Sequence, residues 1–246
     1  MDHYTDYDDF AQVYNRHWGG FSIRILPILE QLALDNCPPG SAILDLCCGT
    51  GQLAKELAAR DYKVTGVDGS EKMLRHARQN APNAKFNCAD ARSFGLPTNF
   101  ALVLSTYDSL NHLLTLEDLA NVFRNVYRHL QFRGVFVFDM NLDAGFRSRW
   151  AGSLNIVADT SAVVVDAKYD EVEHLATMLL TIFTPVDEDN SLWRRSEVTL
   201  TQRAYSVDEL NETLTSAGFA ETEVFDARGD FAMRDEGRAF FRAIKR

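Results

Sequence analysis

The stretch ILDLCCGTG, Ile43 to Gly51, constrains the fold more than any other part of the chain. An apolar run of strand length ends near an acid, a glycine turn follows, and GQLAKELAARD continues with Leu53 and Leu57 four residues apart on one helical face. A buried strand passed through a glycine turn into a helix is the start of a βαβ unit, which needs a parallel sheet covered on both faces. The alternation persists to about residue 142. KVTGVDGS reads as a second strand, SEKMLRHARQNA as a helix capped by Ser70, AKFNCAD as a short third strand and FALVLSTYDSL as a fourth. TLEDLANVFRNVYRHLQ opens with Thr115 and Asp118 in capping-box spacing and carries Leu119, Phe123, Val126 and Leu130 on one face; GVFVFDMN is a fifth strand after Gly134. Ahead of the first strand, helical spacing at Asp8 to Arg16 and at Phe21 to Asn36, interrupted by Pro27, predicts a helical cap over residues 1–38.

Beyond residue 142 the period changes. SAVVVDAKY, HLATMLLTIF and WRRSEVTLTQRAY have β-branched, period-two character and are separated by acidic turns such as DEDNS. A helix resumes with the capping box of Ser206 and Glu209 and stops at Gly218; AETEVFDA and RAFFRAIKR are two last strands. The expected architecture is a Rossmann-like α/β domain over residues 1–142 and 206–246, with a small antiparallel β subdomain, 143–205, inserted after the fifth strand.

Charge and cysteine usage narrow the partners. The chain has 35 acidic against 25 basic residues, a net charge of −10, so its long-range field repels polyphosphate and anionic lipid, and nucleic acid is not expected. Cys37, Cys47, Cys48 and Cys88 form no CxxC pair, and the acidic, aromatic N-terminus is unlike a targeting peptide; both point to a cytoplasmic protein with reduced thiols. No run of eighteen apolar residues is present to cross a membrane. A homodimer is left open.

The first turn can hold a nucleotide-like ligand, because glycine lets its backbone N–H groups approach closely. Gly49, Gly51 and Ala54 satisfy a loose dinucleotide fingerprint. Asp45 argues against a dinucleotide, since a carboxylate there would face a pyrophosphate with the wrong sign. It suits S-adenosylmethionine, which carries a sulfonium and an α-ammonium and no phosphate. Asp68 ends the second strand, placed to take both ribose hydroxyls; Asp90 ends the third, placed to accept from the adenine amino group while the Ala91 N–H donates to the ring. Each acid alone is equally well a helix cap or an Asx turn, but three at consecutive strand ends form a pattern.

These motifs resemble the class I S-adenosylmethionine-dependent methyltransferases, well over Ala42 to about Asn141 and moderately over the last forty residues. The resemblance rests on ILDLCCGTG, VTGVDGSEKML, FNCADARSF, ALVLSTYDSLNHL and GVFVFDMN. It implies a seven-stranded sheet whose last strand is antiparallel, and cofactor contacts from Asp45, Gly49, Thr50, Gly51, Asp68, Gly69, Met73, Asp90, Ala91 and Ser105. Cys47-Cys48 departs from the family, which more often has glycine or alanine before its CGTG; both should contribute mainly backbone.

YDSLNHL is similar in layout to the segment after the fourth strand in glycine-type and amino-sugar N-methyltransferases, which also carry an antiparallel insertion and N-terminal aromatics that fold over the cofactor. By that resemblance Tyr7 and Tyr14 cover the sulfonium or the acceptor, and His112 or Asp108 binds or deprotonates it. Tyr107, Asn111 and Arg203 are the expected contacts to a small-molecule acceptor, with N-methylation preferred over O-methylation. Asp139 and Asn141 sit where catechol-type enzymes hold Mg²⁺, but with only Asp108 nearby no metal is expected. Each residue has a structural alternative, including a helix-pinning role for Tyr7, Phe10 and Tyr14 and a buried structural role for His112. Two other functions compete: an NAD-dependent oxidoreductase, opposed by Asp45 and by the lack of a Tyr-x-x-x-Lys donor, and a cofactor-binding protein without catalysis.

Overall fold

The computed structural model describes residues 3–187 and 191–246, with side chains from Phe10 onward. Three helices precede the first strand: α1 (His3–His17), α2 (Phe21–Arg24) and α3 (Leu26–Leu32), followed by a 3₁₀ turn at Leu34–Asn36. The helical segment over Phe21 to Asn36, expected to be interrupted by Pro27, is broken at Ile25, two residues before the proline, and again at Ala33. Pro27 lies in the first turn of α3, where its missing N–H leaves no partner unsatisfied, so it starts a helix instead of kinking one.

The alternating segment then runs β1 (Ala42–Leu46), α4 (Gln52–Ala58), β2 (Lys63–Asp68), α5 (Glu71–Asn80), β3 (Lys85–Cys88), β4 (Phe100–Ser105), α6 (Leu116–His129) and β5 (Leu130–Asn141). Next come α7 (Asp143–Arg149) and four strands, β6 (Gly152–Ala158), β7 (Ser161–Asp170), β8 (Leu175–Pro185) and β9 (Trp193–Arg203). The chain closes with α8 (Val207–Ser216), β10 (Glu221–Asp226) and β11 (Arg238–Ile244). The sequence gives no sign of α7 or β6. The helix is only seven residues long, and β6 is an edge strand paired to β7 alone with mostly exposed side chains, so neither shows a buried periodicity.

The large sheet has the order β10-β11-β5-β4-β1-β2-β3. Its inner pairs are parallel, whereas β11 runs antiparallel to both β5 and β10, as the resemblance implies. Period-two alternation divides the strands between two cores. On one face Leu44, Leu46, Phe136, Phe138 and Phe241 pack against α6 and α8; on the other Ile43, Val137 and Phe240 pack against α3 and α4. Each large side chain fully withdrawn from water stabilises the fold by about 1.5–3 kcal/mol.

The second sheet, β6-β7-β8-β9, is antiparallel throughout. Val163, Val165, Leu180, Ile182, Val198 and Leu200 form its inner face and pack on Phe10, Ala11 and Val13 of α1. The same cluster includes Met73 of α5, so α1 is a spacer between the two sheets. Asn15 fixes it to the glycine turn, because its Oδ1 accepts from Gln52 and Asn80 at 3.0 and 2.7 Å, while Asn80 also donates to the Thr50 carbonyl.

At Gly51 the turn has no room for a side chain. Its φ is +80°, and a Cβ there would lie 2.9 Å from the Ala77 Cα of α5. Gly51→Ala is expected to lower stability by about 1–3 kcal/mol, read as a reduced urea midpoint; a loss below about 0.5 kcal/mol would mean that α4 and α5 separate easily.

Candidate active site

From β1 the chain builds outward to β3 and then crosses to β4 on the other side of β1, so the strand ends of β1 and β4 flank a topological switch point. A cavity of about 480 Å³ opens there. Its floor is made by residues just past strand ends: Cys47 and Gly49 after β1, Asp68 and Gly69 at the end of β2, Tyr107 and Asp108 after β4. Phe10, Tyr14 and Trp18 of α1 form one wall, and Met178, Leu200 and Gln202 of the small sheet form another.

One half of the cavity is acidic. Asp68 accepts from the main-chain N–H groups of Gly49 and Ser70, both at 2.9 Å, so the second strand end buttresses the glycine turn. Burial raises its carboxyl pKa, and the main-chain donors of Ser70, Gly49 and Gly69 oppose the rise. Asp45 lies behind this wall, 2% exposed, and its Oδ2 has no hydrogen-bond partner. Burial, and then the charge of Asp68, push its pKa up to about 8 against the main-chain donor of Ala54. A buried carboxylate oxygen without a donor is the environment that a cationic ligand group would relieve. Tyr14 lies against the turn, its Cε1 3.3 Å from where a Gly49 Cβ would project, and burial keeps its phenol neutral.

The other half is organised by Asp139 on β5. Its Oδ1 accepts from Tyr107 N at 2.6 Å and its Oδ2 from Asp108 N at 3.1 Å. Tyr107 and Asp108 both have positive φ, 66° and 47°, a sparsely populated conformation for such residues that the two hydrogen bonds hold in place. The turn so formed projects both side chains into the cavity. Arg238, at the start of β11, donates to Asp139 and, at 2.6 Å, to Asp108; Asp235 lies 3.8 Å from its Nε. Phe21 stacks on Tyr107 with centroids 4.4 Å apart, and the Arg238 guanidinium lies 4.7 Å from the Phe21 centroid. Burial alone would raise the Asp108 pKa, but Arg238 and the Gln202 amide bring it below the usual range. Asp139 stays raised, since burial and Asp108 outweigh Arg238.

A chain of hydrogen bonds continues from Asp108. Gln202 Nε2 is 2.8 Å from Asp108 Oδ2 and 2.9 Å from His112 Nε2, and His112 Nδ1 is 3.0 Å from the Thr201 carbonyl. A carbonyl only accepts, so Nδ1 carries the proton; Nε2 then accepts from the amide. Both ring nitrogens of His112 are thus engaged by adjacent residues of β9. Both carboxylate oxygens of Asp108 are engaged as well.

The remaining expected site residues lie off the cavity wall. Thr50 is fully buried and donates to Gln52, Gly51 faces α5, and Ser105 is buried at the end of β4 with an unpartnered hydroxyl. Asp90 receives the Arg92 guanidinium, which also reaches Asp118; Ala91 is buried beside it, its carbonyl accepting from Asn125 at 3.4 Å. Asn111 and Arg203 differ from the expected acceptor contacts. Asn111 is fully buried, donates to the carbonyls of Asn141 and Arg203 and accepts from Asn141 N, which completes its amide. Arg203 donates to the Leu114 carbonyl and lies over the Tyr205 ring. Tyr7 lies in α1, but its side chain is outside the described residues. The sequence reading passes over Arg238, Arg149 and Trp150 on the wall; Arg238, the first residue of β11, is only 3% exposed.

Residues 43–134 match a family model described as a methyltransferase domain. Over 191 residues the chain is 28% identical to the dTDP-3-amino-3,4,6-trideoxy-alpha-D-glucopyranose N,N-dimethyltransferase of Streptomyces venezuelae, with 77% of this chain and 80% of that protein covered. Among solved structures, it is similar to a S-adenosylmethionine-dependent methyltransferase from Clostridium acetobutylicum, with TM-score 0.78, 21% identity and 97% and 98% of the two chains covered. It is also similar to a sugar N-methyltransferase from Streptoalloteichus, with TM-score 0.75, 19% identity and 98% and 92% covered.

Arg238→Met would leave two buried carboxylates without their cation, a loss of about 3–5 kcal/mol at neutral pH. Both carboxyls would then bind protons more readily folded than unfolded, so the stability of the variant should rise as pH falls from about 7 towards 5. In the parent, the contribution of Asp108, whose pKa is depressed, is instead lost as pH falls through its folded value. Urea denaturation across that range reads the difference, and parallel pH profiles for the two proteins would contradict it.

Proposed function

We propose that this chain, an S-adenosylmethionine-dependent methyltransferase whose residues 43–134 match a methyltransferase domain, methylates the amine of a small molecule, with an amino sugar as the acceptor class. When bound, the cofactor supplies an electrophilic methyl group on a sulfonium. The protein's tasks are to hold donor and acceptor in line and to exclude water.

In this reading Asp68 takes the ribose hydroxyls, and Gly49 and Gly69 leave the backbone open to close approach. Asp45 supplies negative charge for the ammonium end, which its buried, unpartnered oxygen supports. Met73, on the cavity wall, packs on the adenine. Asp90 reaches the adenine amino group by sharing its oxygens with Arg92, with the Ala91 N–H beside it. Thr50, Gly51 and Ser105 act through the shape of the turn and its floor. Tyr14, neutral and packed against the turn, covers the sulfonium, and Tyr107 borders the acceptor. Asn111 and Arg203 hold the acceptor wall together from behind.

The engagement of His112 and Asp108 is the observation that favours an amine over a hydroxyl. An amine attacks with its own lone pair and releases a proton afterwards, whereas a hydroxyl needs a base as the bond forms. Neither group offers an uncommitted site for that proton: His112 Nε2 accepts from Gln202, and Asp108 is ionised against Arg238. The N,N-dimethyltransferase activity named for the Streptomyces venezuelae relative supports the same choice. No helix among the described residues is long and apolar enough to cross a membrane. A cytoplasmic enzyme with four free thiols, acting on a small metabolite, is consistent with that, and a homodimer is compatible with it.

Incubation with S-adenosylmethionine and a nucleotide-linked amino sugar should add one or two methyl groups at nitrogen, seen by mass spectrometry; transfer to hydroxyls alone would overturn the assignment. Asp68→Ala should weaken cofactor affinity at least tenfold, about 1.4 kcal/mol, by titration calorimetry, and a change within about twofold would remove Asp68 from the ribose.

Asp45 gives this affinity a pH dependence. With a ligand-free pKa of about 8 it is largely protonated at neutral pH, and a cationic ligand favours its ionised form. Relative to Asp45→Asn, wild-type affinity should therefore rise with pH and level off near pH 8. A ratio constant between about pH 6 and 8 would refute the contact.

A further inference from the structure

The amide of Gln202 is the junction between the two groups that flank the acceptor. It is 3% exposed, borders the cavity from β9, and its single nitrogen lies within hydrogen-bond distance of both Asp108 Oδ2 and His112 Nε2. Its orientation follows from its neighbours. An ionised carboxylate on one side and a ring nitrogen without a proton on the other both require donors, so the NH₂ end faces them and Oε1 is left without a hydrogen-bond partner. Turning the amide over would satisfy neither acceptor and would set Oε1 against the carboxylate of Asp108. An unpartnered buried oxygen is the cost of serving two acceptors at once.

We infer that Gln202 is a specificity-determining residue: by donating to His112 Nε2 it withholds the imidazole lone pair from the acceptor and keeps the site selective for amines over hydroxyls. This rests on the N-methyltransferase reading above and names the residue that enforces it. In the amine reaction the nitrogen lone pair forms the N–CH₃ bond as the S–CH₃ bond breaks, its electrons pass to sulfur, and the proton leaves the ammonium product to water. None of these steps needs His112. In the hydroxyl reaction a base must take the O–H proton as the O–CH₃ bond forms, and His112 Nε2 is the imidazole nitrogen nearest that task. With Gln202 in place it already holds a hydrogen bond. Without it, Nδ1 still donates to Thr201, so the ring keeps its orientation while Nε2 loses the amide donor that engages its lone pair.

Two measurements test the inference. The first needs no acceptor. Nitrogen-15 NMR of the histidine rings at about pH 8, above the ordinary imidazole range, should show His112 as the Nδ1–H tautomer with a non-protonated Nε2. In Gln202→Glu, whose carboxylate accepts, the signal should move to a protonated Nε2. A wild-type Nε2 that carries the proton overturns the inference outright. The second compares Gln202→Met with the wild type on a nucleotide-linked amino sugar and on the same sugar with a hydroxyl in place of the amine. The ratio of hydroxyl to amine methylation should rise at least tenfold, and His112→Phe in the Gln202→Met background should abolish the gain. An unchanged ratio with amine turnover present overturns the role of Gln202 alone. Wild-type transfer to the hydroxyl sugar and not to the amine overturns the N-methyltransferase reading and the inference with it.

Discussion

The half of the cavity around Asp108 depends on one buried cation. Arg238 reaches Asp139 and Asp108, and Asp139 in turn holds the main-chain N–H groups of Tyr107 and Asp108 in a left-handed turn. Without the guanidinium, two carboxylates would lie side by side in a medium that does not tolerate them. With it, the strand end becomes a rigid platform from which Tyr107 and Asp108 project. The arrangement also joins three parts of the large sheet, since Arg238 begins β11, Asp139 lies in β5 and Asp108 follows β4. That β11 runs antiparallel places the start of this strand, and not its end, at the cavity edge, and so brings Arg238 to the platform.

The half around Asp68 uses the opposite device. Asp45 and Asp68 are both buried: burial raises the pKa of each carboxyl, and the charge of Asp68 raises that of Asp45 further. An uncompensated pair of acids next to a compensated one gives the cavity an electrostatic direction. In the proposed reading the sulfonium and ammonium of the cofactor lie at one end, and the acceptor amine at the other. Position on the strand ends, and not a single special residue, sets which end is which.

How much of this was legible in the sequence follows from the range of the interactions. The strand, glycine turn and helix at 43–58 are encoded by neighbours, so β1, α4, Asp45 and Gly49 are readable without a structure. The same holds for Asp68, which closes onto Gly49 from nineteen residues away at the next strand end. Arg238 was not legible, because its contact with Asp108 spans 130 residues and a terminal strand gives no hint of which edge it will join. Asn111 and Arg203 have the residue types of ligand contacts, and only the fold shows that the Asn111 amide is already bound to main-chain groups and that Arg203 Nη1 donates to the Leu114 carbonyl. The edge strand β6 has mostly exposed side chains, and α7, which buries Gly145 and Phe146 within seven residues, is too short to leave a period.

Register decides the chemistry of the second sheet. Along β9 the buried side chains are Val198, Leu200 and Gln202, so Gln202 sits on the same face as the residues that pack on α1. Thr201, between them, contributes its carbonyl. The two partners of the His112 ring are therefore consecutive residues of one strand, one offering a side-chain donor and the other a main-chain acceptor. A slip of β9 by one residue would turn Gln202 outward and bring Thr201 in, removing the amide while leaving a strand of similar length and polarity. The pairing of Gln202 with Ala176 and of Leu200 with Met178 holds that register, and the apolar seal against α1 penalises any other. The inserted sheet is thus tied to the large sheet's strand ends by the same face that presents Gln202 to the cavity, and through Gln202 to His112.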